Sequence, residues 1–140
     1  MRTSSEQETH EYAMNFAKDI SAPAILLLEG ELGTGKTCFT RGLCEGLGGD
    51  PRQVSSPTFA IVQEYDIKEN NRLVHIDAYR LSNEDELEAI GWDELLQDNN
   101  AIIAIEWPSR IKNSIPKNAR TIKIYHVDIN TREIDPPSTN

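Results

Sequence analysis

The chain has 140 residues, of which 38% are hydrophobic and 26% are charged, a length and composition that suit one globular domain with its own core. Its formal net charge of -9 argues against a nucleic-acid-binding surface, because phosphate backbones are bound by clustered lysine and arginine. No apolar run is long enough to cross a membrane and the first residues lack the apolar core of a signal peptide, so we expect a cytoplasmic protein.

The first predicted element is an amphipathic helix over residues 5–20. Ser5 and Glu8 form a capping box, and apolar side chains recur at helical spacing as far as Ile20. The short apolar run from Ala24 to Glu29 follows, and its length and composition predict a buried strand.

This strand leads directly into a glycine-rich motif of the form G-x-x-x-x-G-K-[ST], which is Gly30-Glu31-Leu32-Gly33-Thr34-Gly35-Lys36-Thr37. Glycines of this motif let successive backbone N–H groups point at phosphate oxygens. Lys36 can then reach the β- and γ-phosphates, and the Thr37 hydroxyl can bind Mg²⁺. A helix is predicted over residues 36–47, which places its positive dipole end under the phosphates. Strand, loop and helix in this order predict a nucleotide-binding site.

An antiparallel hairpin is predicted next, with strands over residues 58–65 and 72–79. Ser82 is expected to cap a helix over residues 83–90. A central parallel strand is then predicted by the uninterrupted apolar run Ala101-Ile102-Ile103-Ala104-Ile105.

The last predicted strand covers residues 121–129, and its apolar positions change parity between Ile124 and Val127, which predicts a bulge or an edge strand. We expect one domain over residues 1–130 and a flexible C-terminal tail over residues 131–140. Alternating strands and helices with an inserted hairpin predict an α/β fold. We expect a small P-loop NTPase-like sheet, mixed parallel and antiparallel, flanked by helices.

Two carboxylates end predicted strands and are candidates for work on a nucleotide. Glu106 ends the central strand and Asp77 lies in the second hairpin strand, so both are expected at the edge of the sheet that carries the phosphate loop. Either can orient Mg²⁺ or the attacking water, and the residues leave open which one contacts the metal. Trp107 either flanks the nucleotide or a partner surface, or belongs to the core. His75 is interpreted as a structural histidine.

The base of the nucleotide is also indicated by the sequence. The Asn-Lys-x-Asp motif with which GTPases specify guanine is absent after the phosphate loop, and this absence favours ATP over GTP.

Several further motifs follow the phosphate loop in a fixed order, and they are V-S-S-P-T-F at 54–59, H-I-D-A-Y-R-L at 75–81, A-I-G at 89–91 and E-W-P at 106–108. Together with the loop they cover residues 30 to 108. This ordered set resembles the TsaE (YjeE) family, bacterial ATPases of tRNA threonylcarbamoyladenosine biosynthesis.

The resemblance implies a magnesium-dependent ATPase that is weak alone and is stimulated in a complex with TsaD and TsaB. The ATPase is required, together with TsaD and TsaB, for the threonylcarbamoylation of adenosine in tRNA. Neither direct tRNA binding nor membrane binding is expected of the ATPase itself.

Site residues are implied by the same resemblance. Thr37 and Glu106 would hold Mg²⁺, and Trp107 would lie close to the nucleotide. Hydrolysis or switching would depend on Asp77, Thr58 and Lys36. The residues that would bind the phosphates are Leu32, Gly33, Thr34, Gly35 and Lys36.

Two other functions fit a small phosphate-loop protein. A small-molecule kinase needs an acceptor pocket and a lid with clustered arginines, and no such cluster appears in the sequence. A nucleotide-gated interaction module would bind ATP and a partner with negligible turnover.

Overall fold

A mixed sheet forms the centre of the computed structural model, which describes residues 1–30, 36–54, 62–128, 131–135 and 138–139. Its strands within these residues are β1 (Arg2–Thr3), β2 (Ala24–Glu29), β3 (Val62–Asp66), β4 (Arg72–Asp77), β5 (Ala101–Glu106), β6 (Arg120–His126), β7 (Arg132–Ile134) and β8 (Ser138–Thr139). The α-helices are α1 (Glu6–Ala17), α2 (Lys36–Gly46) and α3 (Trp92–Gln97). Short 3₁₀ segments cover Pro51–Gln53, Lys68–Asn70, Ala78–Arg80, Glu84–Ile90 and Pro108–Ser114.

The strand order is β1-β7-β6-β2-β5-β4-β3, and β8 also pairs with β6. Strand β2 pairs in parallel with β5 and β6, and β4 pairs in parallel with β5. Strands β3 and β4 form the predicted antiparallel hairpin. Strand β5 lies between β2 and β4 and is buried along its whole length, which confirms the predicted central strand. The predicted α/β class with a mixed sheet is therefore confirmed.

Two apolar layers cover the two faces of the sheet. Side chains alternate between the two faces along β5. Ile102 and Ala104 lie in the layer under α1 and α2, whereas Ile103 and Ile105 lie in the layer under α3. By the same alternation Glu106, at the end of β5, points to the side of the sheet that α2 covers. The core pattern thus determines which helix the carboxylate faces.

Helix α1 begins as predicted, because the Ser5 hydroxyl accepts a hydrogen bond from the Glu8 backbone N–H at 3.1 Å. Helix α2 packs against α1 through glycines. A Cβ atom at Gly46 would lie 2.7 Å from the Cβ of Ala17, and one at Gly42 would lie 2.8 Å from the Cβ of Ala13. The two backbones approach so closely only because these positions of α2 carry no side chain.

Two elements after the hairpin differ from the predictions. The segment Glu84–Ile90 is a 3₁₀ rather than an α-helix, and Asn83 caps it instead of Ser82, because the Asn83 side-chain oxygen accepts from the Asp85 backbone N–H at 3.0 Å. The segment Pro108–Ser114, for which no helix is predicted, is also 3₁₀.

The C-terminal region also differs from the predictions. Strand β6 is neither bulged by the parity change nor an edge strand, because it ends at His126 and pairs with β2 on one side and with β7 and β8 on the other. Val127 lies beyond the strand and is 43% exposed. The flexible tail expected over residues 131–140 is wrong for Arg132–Ile134, which pairs with β6 and β1 and buries Ile134 completely.

We predict that Gly42→Ala destabilises the protein. The new methyl carbon would lie 2.3 Å from the His10 carbonyl oxygen, so α1 must shift. Such overpacking costs about 1–3 kcal/mol, and because the clash is with backbone we expect the upper part of this range, which exceeds the ~1 kcal/mol that alanine gains over glycine in a helix. Urea denaturation measures the change in the free energy of unfolding. Asn15→Ala, on the exposed side of α1, is the matched control and should shift it by no more than about 0.5 kcal/mol. Equal stability of Gly42→Ala and wild type would contradict the close packing.

A second prediction concerns pH. Cys44 is fully buried in the layer under α2, and this burial, with smaller contributions from Asp50 and Glu45, raises the pKa of its thiol from 9.0 to about 11. Between pH 9.0 and about 11 the Cys44 thiol of the native state therefore stays protonated, while the thiol of the unfolded chain has lost its proton. The stability that this contributes is complete below pH 9.0 and is lost as the pH rises toward about 11.

Urea denaturation at several pH values between about 8 and 10 tests this expectation. The free energy of unfolding should fall less steeply with pH in Cys44→Ala than in wild type. The slopes are compared, since the substitution itself lowers stability at every pH. Parallel slopes would show that the Cys44 thiol titrates alike in the folded and unfolded chain.

Candidate functional site

The carboxyl ends of three neighbouring strands meet where α2 begins. Strand β2 ends directly before Gly30, and the register of the sheet places Glu106 opposite Leu28 on one side and opposite Asp77 on the other. Lys36 is the first residue of α2. The two predicted carboxylates therefore lie at one edge of the sheet, on adjacent strands, as the sequence predicts.

Lys36 is a buried cation with three neighbours of different chemistry. Its side chain is 5% exposed, and its Nζ donates a hydrogen bond to the Gly30 carbonyl oxygen at 2.6 Å. The same Nζ lies 4.0 Å from the Glu106 Oε1 and 3.9 Å from the centroid of the Trp107 ring. Burial lowers the pKa of Lys36, while the charges of Glu106 and Asp77 act in the opposite direction. These contacts hold the ammonium group at the start of α2.

Glu106 is the most enclosed carboxylate of the site. Only 6% of the residue is exposed. Its Oε1 faces Lys36, and its Oε2 lies 2.6 Å from the Nε2 of His75, a residue that is 1% exposed. His75 was interpreted from the sequence as structural, yet it contacts this carboxylate directly. Its position two residues before Asp77, on the same face of β4, was the available signal.

The Asp77 carboxylate caps the turn that follows β4. Its Oδ1 accepts a hydrogen bond from the Tyr79 backbone N–H at 3.1 Å and caps the 3₁₀ turn Ala78–Arg80. Its charge also acts on Lys36. The carboxylate therefore shapes the turn after β4 and contributes to the negative potential around Lys36.

Trp107 follows Glu106 in the left-handed region, with φ 59° and ψ 51°. Its half-buried ring covers Lys36 on one side and packs against Tyr79, with 5.1 Å between ring centroids. The Cζ of Arg110 lies 4.9 Å from the centroid of the Tyr79 ring. Trp107 does not belong to either core layer, and its ring lies against Lys36.

Other predicted site residues are less fully described. Thr37 is half-buried next to Lys36 at the beginning of α2. Five predicted site residues lie outside the described residues, and they are Leu32, Gly33, Thr34, Gly35 and Thr58.

The chemistry of the described side chains fits Mg²⁺ together with a phosphate ligand. Mg²⁺ prefers hard oxygen donors and commonly takes one or two from the protein, the others coming from phosphates and water. The Glu106 carboxylate and the Thr37 hydroxyl are such donors. The described ranges contain no group of three or more His, Cys, Asp or Glu side chains that could hold a metal ion. No helix in the same ranges is long and apolar enough to span a bilayer.

Comparison with known proteins identifies the family. The family model described as "Threonylcarbamoyl adenosine biosynthesis protein TsaE" matches residues 3–134. The chain belongs to the TsaE family. This finding confirms the resemblance that the ordered motifs carry.

Relatives and a solved structure agree with this assignment. A TsaE protein of Borreliella burgdorferi is 39% identical over 117 residues, which are 81% of this chain and 83% of the relative. A TsaE protein of Bacillus subtilis is 39% identical over 136 residues, 95% of this chain and 81% of the relative. The crystal structure of Bacillus subtilis YdiB is similar with a TM-score of 0.78 and 30% identity, over 100% of this chain and 84% of that one. These likenesses support the P-loop NTPase-like fold.

Proposed function

We propose that this TsaE-family protein is a magnesium-dependent ATPase that works with TsaD and TsaB in the threonylcarbamoylation of adenosine in tRNA. The observation that carries the proposal is the buried pair of Lys36 and Glu106. This pair lies where β5 ends and α2 begins, next to the phosphate-loop motif. The family and its named relatives support the pathway.

Lys36 is proposed to bind the β- and γ-phosphates. In the structure its ammonium group donates to the Gly30 carbonyl oxygen and lies 4.0 Å from the Glu106 carboxylate. Phosphate oxygens carry more negative charge than a carbonyl, so a bound nucleotide would draw the ammonium group toward itself. The backbone N–H groups of Leu32 to Gly35 and the dipole of α2 would complete the phosphate site.

The two carboxylates are proposed to divide the remaining work. Glu106, whose Oε1 already faces Lys36, would hold Mg²⁺ with the Thr37 hydroxyl. When bound, the metal neutralises phosphate charge as the γ-phosphoryl group is transferred. Asp77, one strand away in register, would orient the attacking water, and Thr58 would order with the γ-phosphate as switch segments do.

Partner-stimulated hydrolysis tests the proposal. Magnesium-dependent ATP hydrolysis is measured for the protein alone and with its cognate TsaD and TsaB. We expect slow turnover alone and faster turnover in the mixture. ATP binding without hydrolysis in either condition would favour the nucleotide-gated module instead.

Glu106→Ala separates turnover from binding in the same assay. Because Glu106 is proposed to bind the metal, turnover should fall at least about 10–100-fold, with a smaller change in ATP affinity. Glu94→Ala removes an exposed carboxylate of α3 and serves as the matched control, with turnover close to wild type. Equal rates for Glu106→Ala and wild type would remove Glu106 from the site.

Lys36→Met should weaken nucleotide binding about 10–100-fold, because it removes a charged hydrogen bond worth about 1.5–3 kcal/mol. Binding can be followed by the emission of Trp107, whose ring contacts the Lys36 ammonium group. A Trp92→Phe background leaves Trp107 as the single tryptophan. The emission should change on addition of ADP, and the titration should shift to much higher concentration with Lys36→Met. Titrations with the same midpoint before and after the substitution would mean that Lys36 does not bind the phosphates.

A further inference from the structure

His75 is a buried histidine whose position the core does not explain. It lies inside β4 and is 1% exposed. Its Nε2 meets the Glu106 carboxylate, while its Nδ1 has no hydrogen-bond partner within the part of the chain that the structure describes. An unpaired buried nitrogen is unfavourable, and an apolar side chain would fill this position without that cost. Of its two ring nitrogens, only Nε2 therefore has a polar partner among the described residues, and that partner is Glu106.

The contact with Glu106 indicates what the imidazole does. A carboxylate only accepts hydrogen bonds, so the Nε2 atom of His75 is assigned as the donor to Oε2 at 2.6 Å. This bond leaves Oε1 as the oxygen that faces Lys36, at 4.0 Å from the Nζ. The two oxygens of one carboxylate thus have separate partners.

The sheet itself sets up this geometry. His75 pairs in register with Ala104, two residues before Glu106 on the same face of β5. Residue 104 carries only a methyl group, and the imidazole opposite it extends along the strand to the Oε2 of Glu106. The donor, the Nε2 of His75, therefore belongs to strand β4, which is paired on both sides, and not to a loop.

We propose that His75 is a positioning residue that fixes the Glu106 carboxylate in one orientation, with Oε1 presented to the beginning of α2. The inference rests on the proposed function, in which Glu106 holds Mg²⁺. A metal ligand that is held by a hydrogen bond needs no reorientation when it binds, and loss of such a supporting bond typically weakens metal binding about 10–100-fold.

Two amide variants of His75 test the proposal. The amide nitrogen of His75→Gln can reach the place of Nε2 and donate to Glu106, whereas His75→Asn is too short to do so. Affinity for ADP is measured by calorimetry in EDTA and over a series of Mg²⁺ concentrations. We expect His75→Asn to raise the half-saturating Mg²⁺ concentration about 10–100-fold, with metal-free ADP affinity within about twofold of wild type. His75→Gln should restore the Mg²⁺ response to within about threefold.

Controls separate positioning from general damage. His10→Asn makes the same change in another histidine–glutamate pair, His10 with Glu45 between α1 and α2, and should leave the Mg²⁺ response unchanged. In a Glu106→Gln background His75→Asn should have no further effect, because His75 acts through that carboxylate. Circular dichroism and thermal unfolding verify that each variant is folded. If His75→Asn does not fold, His75→Leu is compared with His75→Gln instead, because leucine keeps the apolar packing and has no hydrogen-bond donor.

Each outcome has a distinct meaning. Equal effects of the Gln and Asn variants, or equal losses of metal-free and magnesium-bound affinity, would overturn the positioning role and leave the proposed function intact. Additive effects of His75→Asn and Glu106→Gln would do the same. Failure of wild type to bind ADP more tightly with Mg²⁺ would overturn the proposed role of Glu106 and, with it, that of His75.

Discussion

Burial of two opposite charges is the constraint on which this structure depends. Taking an ion out of water costs several kcal/mol unless other groups replace the water. Lys36 has a carbonyl, a carboxylate and an aromatic ring as neighbours, and Glu106 has an imidazole and the ammonium group. These groups come from the end of β2, the start of α2, strand β4 and the end of β5. The arrangement exists only because the strand register and the docking of α2 bring them together.

The docking of α2 on α1 positions the Lys36 ammonium group, and the pairing of β5 with its neighbours positions the Glu106 carboxylate. The position of Lys36 follows from the close contact of α2 with α1, which Gly42 and Gly46 permit. The position of Glu106 follows from β5, which is paired on both sides and buried along its length. Residues remote from the site thereby determine the distance between the ammonium group and the carboxylate.

The sequence predicts those parts of the molecule that local patterns specify. The apolar runs of β2 and β5, the Ser5 cap and the beginning of α2 are examples, since each depends on neighbouring residues alone. Strand β7 was missed because three residues carry no periodicity, and it is stabilised only by pairing with distant strands. The contact between His75 and Glu106 is not predicted for a related reason, because only the register of β4 on β5 shows which group the imidazole meets.

The aromatic contacts of Lys36 connect the interior of the protein with its surface. Lys36 is buried, Trp107 is half-buried, and Tyr79 beyond it is 49% exposed beside an exposed Arg110. An ammonium group that moved toward a phosphate would withdraw its charge from the inner face of the indole, which contacts the Tyr79 ring on the way to the surface. Tyr79 and Arg110 are therefore the solvent-exposed end of a line of contacts that begins at the buried Lys36.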